Sequence, residues 1–347
     1  MKKILFLIGS RNQTTQMHQI ASLLPDYDCY FSQFFSDSSF INSCLKLRLL
    51  DSTILAGKFK DNADEYLRVH HLKSDYLGRQ FQYDLVVLCS DLLVPTSVRG
   101  TKTIWVQEGM TDRLTTWGKI VRRLELPRYI SGNTALNGSS NRCDIYCTAS
   151  EGYKEYFQRL GTDQAKLVVT GMPNFDNAVS FSENDFPHKG YVLVATSDIR
   201  ETYGIDDRIK FVKDAIKIAN GRKLIFKLHP NEQPQRAIDE IIRYTRRNAL
   251  IFTDGDINHM IANCDELVTQ YSSVVYIGLA LNKKVHSYFD IENLRKLMPV
   301  QNEGMSAHNI AKICRNYIEF KGTASEFLPH LQSLAISEIG SVHKIAS

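Results

Sequence analysis

The chain has 347 residues, with 42 Lys+Arg against 38 Asp+Glu, a formal net charge of +4 and 43% hydrophobic residues. This composition excludes disordered and fibrous classes, and charges spread this evenly argue against a nucleic-acid binder. At about 150 residues per domain the length points to two domains, each with its own core, and no run approaches the ~18 apolar residues of a membrane span.

Short apolar runs alternate with helical patterns from end to end. Lys3–Ile8, Tyr27–Phe31, Asp84–Cys89, Thr103–Gln107, Asp144–Thr148 and Lys166–Thr170 read as buried strands. The first is too short and lacks the small-residue cleavage site of a signal peptide. A second set comprises Tyr191–Ala195, Lys223–Leu228, Ala249–Phe252, Glu266–Thr269 and Lys284–Ser287. Helical patterns fill the gaps, among them Arg208–Ala219, Gln233–Arg246 and Ser273–Leu281. Such alternation predicts α/β architecture, parallel sheets with helices on both faces.

The polar stretch 171–190, with Pro173 and Pro187, separates the two sets. The expected organisation is an acceptor-side Rossmann-like domain over 1–172 and a nucleotide-binding one over 173–322. In the remaining segment, 323–347, the helical stretch Ala324–Ala335 is expected to pack back on the first domain. The seven cysteines form no CxxC pair and several sit in apolar runs, as expected of reduced, buried thiols in a cytoplasmic protein.

Ligands of open parallel sheets bind at the carboxyl ends of strands, so motifs there carry the functional reading. Lys227-Leu228-His229-Pro230-Asn231-Glu232 follows the strand at Lys223, and Pro230 ends that strand. An imidazole in that place can donate to a phosphate, with Asn231 or Glu232 opening the next helix and adding its positive end. Gln270-Tyr271-Ser272-Ser273 links a strand to an almost wholly apolar helix. Its serines read either as N-caps or, with free backbone N–H groups, as a phosphate cradle. Gln107-Glu108-Gly109 ends an earlier strand, and a tight turn at Gly109 would leave Glu108 projecting as a general base. Gly9, after the first strand, Ser197, after the first strand of the second domain, and Gln107, Gly109, Pro230, Asn231, Glu232 and Gln270 within these motifs are further candidate ligand contacts.

An acidic residue before Gly109, then His229-Pro230, then Ser272-Ser273 resembles the motif series of bacterial sialyltransferases and related Kdo and capsule polysaccharide transferases. The resemblance implies the GT-B fold, two Rossmann-like domains facing across a cleft. It further implies Glu108 as catalytic base, and His229, Ser272 and Ser273 on the CMP part of the donor. Gln107 departs from that pattern, which usually has a second carboxylate there. Expected partners are a CMP-sugar donor and a glycan or lipid-linked glycan acceptor, with no nucleic acid and no metal or other cofactor. KLHP and the later serines also resemble glycerophosphotransferases that use CDP-glycerol. A UDP-GlcNAc 2-epimerase on the same fold would carry a Gly-Gly and paired-Glu signature where this chain reads QYSSVVYIGLA. A non-enzymatic GT-B-like binding protein is the remaining alternative. The basic run Lys119–Arg123, beside Trp117 and Leu124, suggests peripheral contact with the inner face of a membrane.

Overall fold

The computed structural model describes residues 1–331 apart from 52, 99 and 202–204. It divides into two compact units, Met1–Asp176 with Gly304–Ser347, and Asn177–Glu303.

In the first unit the order is β1 (Lys3–Ile8), α1 (Arg11–Ala21), β2 (Asp28–Gln33), α2 (Ser39–Lys46), α3 (Gly57–Val69), β3 (Leu85–Leu88), β4 (Lys102–Val106), α4 (Thr116–Arg123), β5 (Ile145–Thr148), α5 (Glu151–Leu160) and β6 (Leu167–Val169). All six strands are parallel, in the order β2-β1-β3-β4-β5-β6. The chain therefore winds outward in opposite directions from β1 and β3. Continuous apolar runs such as Leu85–Leu88 are buried on both faces, as parallel strands under two helix layers must be.

The second unit contains β7 (Val192–Ala195), α6 (Arg208–Ala219), β8 (Leu224–Lys227), α7 (Pro234–Thr245), β9 (Leu250–Phe252), α8 (Ile257–Asn263), β10 (Glu266–Thr269), α9 (Val275–Ala280), β11 (Lys284–His286) and α10 (Ile291–Leu297). Its parallel sheet runs β11-β10-β7-β8-β9, with the switch point between β7 and β10.

The chain then returns to the first unit with α11 (Ser306–Glu319). The sequence reading left 304–322 with the second domain. Ile310, Ile313, Cys314, Tyr317 and Ile318 of α11 instead join the core of β1, β4 and β5. Lys102 Nζ also donates to the carbonyls of Tyr317 and Phe320, each at 2.6 Å. Residues 324–331 are helical, and Phe327, Leu328 and Leu331 extend the same core. The remainder of the expected terminal helix lies outside the described residues.

Candidate active site

Each unit carries candidate residues at the carboxyl edge of its sheet. In the first, Glu108 lies two residues beyond the end of β4, and α1 begins just after β1, one strand beyond β3. Ser10 is the N-cap of α1, its hydroxyl accepting from the Gln13 N–H at 3.2 Å. That cap sets Asn12 and Gln13 against the β4 end. Asn12 Nδ2 donates to Glu108 Oε1 at 2.5 Å, and Gln13 Nε2 to Oε2 at 3.3 Å. Asn174 Nδ2 donates to Asn12 Oδ1 at 2.9 Å, which leaves the Asn12 amino group to face the carboxylate. Desolvation raises the pKa of Glu108 above the ordinary carboxylate value, and the two amide donors oppose that rise. A carboxylate moved toward neutrality in this way is suited to accept a proton.

The neighbours of Glu108 hold it differently from the sequence expectation. Gln107 was expected to touch substrate, but it is buried and its amide is used within the fold. Its Nε2 donates to Gly109 O at 3.0 Å, its Oε1 accepts from Ala149 N–H at 2.9 Å, and its carbonyl accepts from Gln16 Nε2 at 2.9 Å. Gly109 does not have the positive φ of a left-handed turn. A Cβ placed there would meet nothing within 4 Å, so this glycine keeps the space beside Glu108 open. Gly9 is a packing glycine: a Cβ would come 2.6 Å from Ile54 Cβ, and its carbonyl accepts from Gln33 Nε2 at 3.2 Å. Beside Glu108 a cavity of about 610 Å³ opens, lined mainly by apolar side chains that include Phe34, Phe40, Ile54, Leu93 and Met110.

In the second unit His229 follows β8. Its N–H donates to Thr196 Oγ1 at 3.0 Å and to Glu232 Oε2 at 3.1 Å. Its Nδ1 accepts from Asn231 N–H at 3.2 Å and lies 3.6 Å from Asp198 Oδ2. Because Nδ1 accepts, the neutral ring carries its proton on Nε2, which can donate to a ligand. Pro230 is the second residue of a turn closed by Glu232 N–H to His229 O at 3.0 Å. The following helix starts only at Pro234, so no helix N-terminus adjoins His229 as the sequence suggested.

Asn231 and Glu232 were also expected on the ligand. Asn231 Nδ2 donates to Asp198 Oδ2 at 2.8 Å. Glu232 is turned inward, where it accepts from the Thr196 hydroxyl and pairs with Arg208 at 2.5 Å. Arg208 and Asp206 are both buried and pair at 3.1 Å. Gln270, at the end of β10, is buried and donates to Asp206 Oδ1 at 2.6 Å. This network ties the loop after β7 to the ends of β8 and β10.

Ser272 and Ser273 do not cap α9. The helix begins at Val275 behind Val274, and the two serine carbonyls accept from the N–H groups of Val275 and Tyr276. Because β7 lies between β8 and β10, the ends carrying His229 and the serines are two strand spacings apart, roughly 10 Å. Ser197 sits between them, buried, its hydroxyl without a protein partner among the described residues. Sequence reasoning missed Gln13 and Arg208; the Ser10 cap was the available signal for Gln13.

A family model described as CDP-glycerol:poly(glycerophosphate) glycerophosphotransferase matches residues 93–296, well over half of the chain. The chain belongs to this family. The matched region of this glycerophosphotransferase-family chain includes Glu108, His229, Gln270 and both serines. Among solved structures, UDP-GlcNAc 2-epimerase from Neisseria meningitidis bound to UDP-GlcNAc has a TM-score of 0.56 at 13% identity, over 90% of this chain and 100% of that one. A variant of the wall teichoic acid polymerase TagF has a TM-score of 0.53 at 14% identity, over 92% of this chain and 89% of that one. MnaA from S. aureus, in a co-structure with UDP, gives 0.52 at 12%, over 92% and 97%. At such identities the likeness is one of fold, and it agrees with the GT-B class expected from the sequence. No curated protein sequence matches the chain.

The family makes this chain a transferase. The sialyltransferase and Kdo-transferase resemblance, and the CMP-sugar preference drawn from it, find no support among these relatives. The CDP-glycerol alternative fits the family better.

Proposed function

We propose that this protein transfers a glycerophosphate unit from CDP-glycerol to a hydroxyl of a surface-polymer acceptor. The observation that carries the reading is the family match across the segments holding both Glu108 and His229. The acceptor oxygen attacks the phosphorus bearing glycerol, forming a P–O bond as the P–O bond to CMP breaks. The acceptor proton passes to Glu108. His229 Nε2–H donates to the phosphate and meets the charge that develops on departing CMP. The strand-end spacing supports a diphosphate donor: a ligand that meets both His229 and the serines has to span more than one phosphate group.

The test compares CMP release from CDP-glycerol, CMP-sialic acid and CMP-Kdo, and epimerisation of UDP-GlcNAc, with a polyol phosphate acceptor present. Turnover of CDP-glycerol is expected. Turnover of a CMP-sugar in its place would restore the sugar-transferase reading, and epimerisation alone would sink both. A His229→Ala variant is expected to bind CDP-glycerol about 10- to 150-fold more weakly, the loss of one hydrogen bond to a charged group. Thermal-shift titration measures it, since a ligand selective for the folded state raises stability with the logarithm of its concentration. Equal stabilisation of wild type and variant would remove His229 from the donor site.

Peripheral membrane contact belongs to the same reading. Trp117, Ile120 and Leu124 stand exposed on one side of α4 and its C-cap, with Lys119 and Arg123 beside them. Ile120→Ser with Leu124→Ser is expected to cut partition onto phosphatidylglycerol vesicles by about tenfold or more, given the apolar area at stake. Unchanged co-sedimentation would rule this surface out.

A further inference from the structure

A second hollow of the first unit, about 590 Å³, shares no lining residue with the one beside Glu108. Arg122 at the end of α4, Arg128 in the turn that follows, Arg142 in the loop before β5 and Arg159 at the end of α5 all line it, against one carboxylate, Glu125. None of the four is in an ion pair among the described residues. Arg128 Nη1 donates to Arg122 O at 3.5 Å and Arg159 Nε to Glu155 O at 3.3 Å. These bonds orient the two side chains and leave donors of each fork unused.

Local structure does not explain the gathering. A helix dipole accounts for an arginine at the end of α4 or of α5, taken singly. It does not account for Arg142, which is on neither helix, nor for four like charges around one hollow, where mutual repulsion costs stability unless an anion is present. The frame is well fixed: Ser140 N–H donates to buried Asp91 at 2.9 Å, and Asn141 Nδ2 donates to Gly161 O at 2.7 Å. Guanidinium forks match phosphate oxygens in pairs, so arginines held this way suit phosphodiester groups. The lining contains no aromatic side chain, so nucleobases would find no stacking platform, and a nucleic acid is the poorer fit.

We infer that the arginine-lined hollow is an exosite for an anionic phosphodiester polymer, a poly(glycerophosphate) strand, held apart from the reacting groups. The identity of the polymer rests on the glycerophosphotransferase reading; the anion site rests on the arginines. Fluorescence anisotropy of a labelled oligo(glycerol phosphate), with no donor present, tests it on wild type and on Arg142→Gln/Arg159→Gln, whose altered side chains are both exposed.

Wild type is expected to bind the oligomer in a salt-sensitive way, with the double variant at least about tenfold weaker. Equal binding by wild type and the double variant would overturn the proposal. So would a double variant that keeps the oligomer but loses phosphatidylglycerol vesicles, which would make the hollow a lipid headgroup site. An exosite confirmed here alongside no CDP-glycerol turnover would count against the proposed reaction alone, because the binding assay needs no catalysis.

Discussion

Glu108→Gln is expected to lower the rate of transfer by about 10²- to 10⁴-fold, the usual contribution of a positioned general base, while leaving the fold intact. Gln is nearly isosteric with Glu and keeps an oxygen to accept from Asn12. The pH profile discriminates further. Burial raises the pKa of Glu108 against the two amide donors, so the wild-type rate climbs with pH along a limb above the ordinary carboxylate range. That limb is expected to vanish in the variant. Stability gives the matching sign. A carboxyl whose folded pKa is raised binds its proton more tightly in the folded state. Its contribution is therefore most favourable below the unfolded pKa and is lost as pH rises through the folded one. Wild type should lose melting temperature across that window relative to Glu108→Gln. Wild-type activity in the variant, or an identical acid limb, would sink the assignment of Glu108 as base.

The sheets were legible because parallel strands buried on both faces leave short, continuous apolar runs that few other structures require. All eleven strands of the described residues overlap the expected segments, from Lys3–Ile8 to Lys284–His286, although the edge strands β2, β9 and β11 are only partly buried. The helix starts were less legible. Pro230 and Pro234 lie four residues apart, and both suit a helix start; only the His229–Glu232 turn decides that Pro234 takes the first helical position. Serines before an apolar helix read as caps, yet α9 opens two residues beyond Ser273. Glu232 shows a deeper limit. In sequence it is a polar residue in a loop, and nothing local says that Arg208, on another helix, will meet it in the interior. The Asn12–Glu108 contact likewise joins the ends of β1 and β4 across β3, so it follows from strand order and not from any local pattern. The placement of α11 has the same origin. Its apolar stripe announces a buried face, but its proper core belongs to strands near the start and middle of the first unit, β1, β4 and β5, far back in the chain.

Replacing Glu232 with Ala is expected to destabilise the second unit by about 3–5 kcal/mol, read as a lower urea midpoint with an unchanged slope. The carboxylate is fully buried and accepts from three groups: the Arg208 guanidinium, the Thr196 hydroxyl and the His229 N–H. Without it Arg208 stays buried with Asp206 as its remaining carboxylate, and a guanidinium Nη1 that already lacks a partner gains nothing. The other two donors each lose one bond but keep a second acceptor, His229 N–H on Thr196 Oγ1 at 3.0 Å and the Thr196 hydroxyl on Lys227 O at 3.3 Å, so most of the loss lies in the buried guanidinium. The defect also reaches function, because the same carboxylate fixes the turn that presents His229. CDP-glycerol should then stabilise Glu232→Ala less than wild type even below its lowered melting temperature. Combining Glu232→Leu with Arg208→Met removes both charges and should cost less than the sum of the single changes. A loss under about 1 kcal/mol for Glu232→Ala, or strict additivity in the pair, would mean that this buried ion pair does not hold the histidine turn, and that the rest of the network, from Asp198 to Gln270, carries it instead.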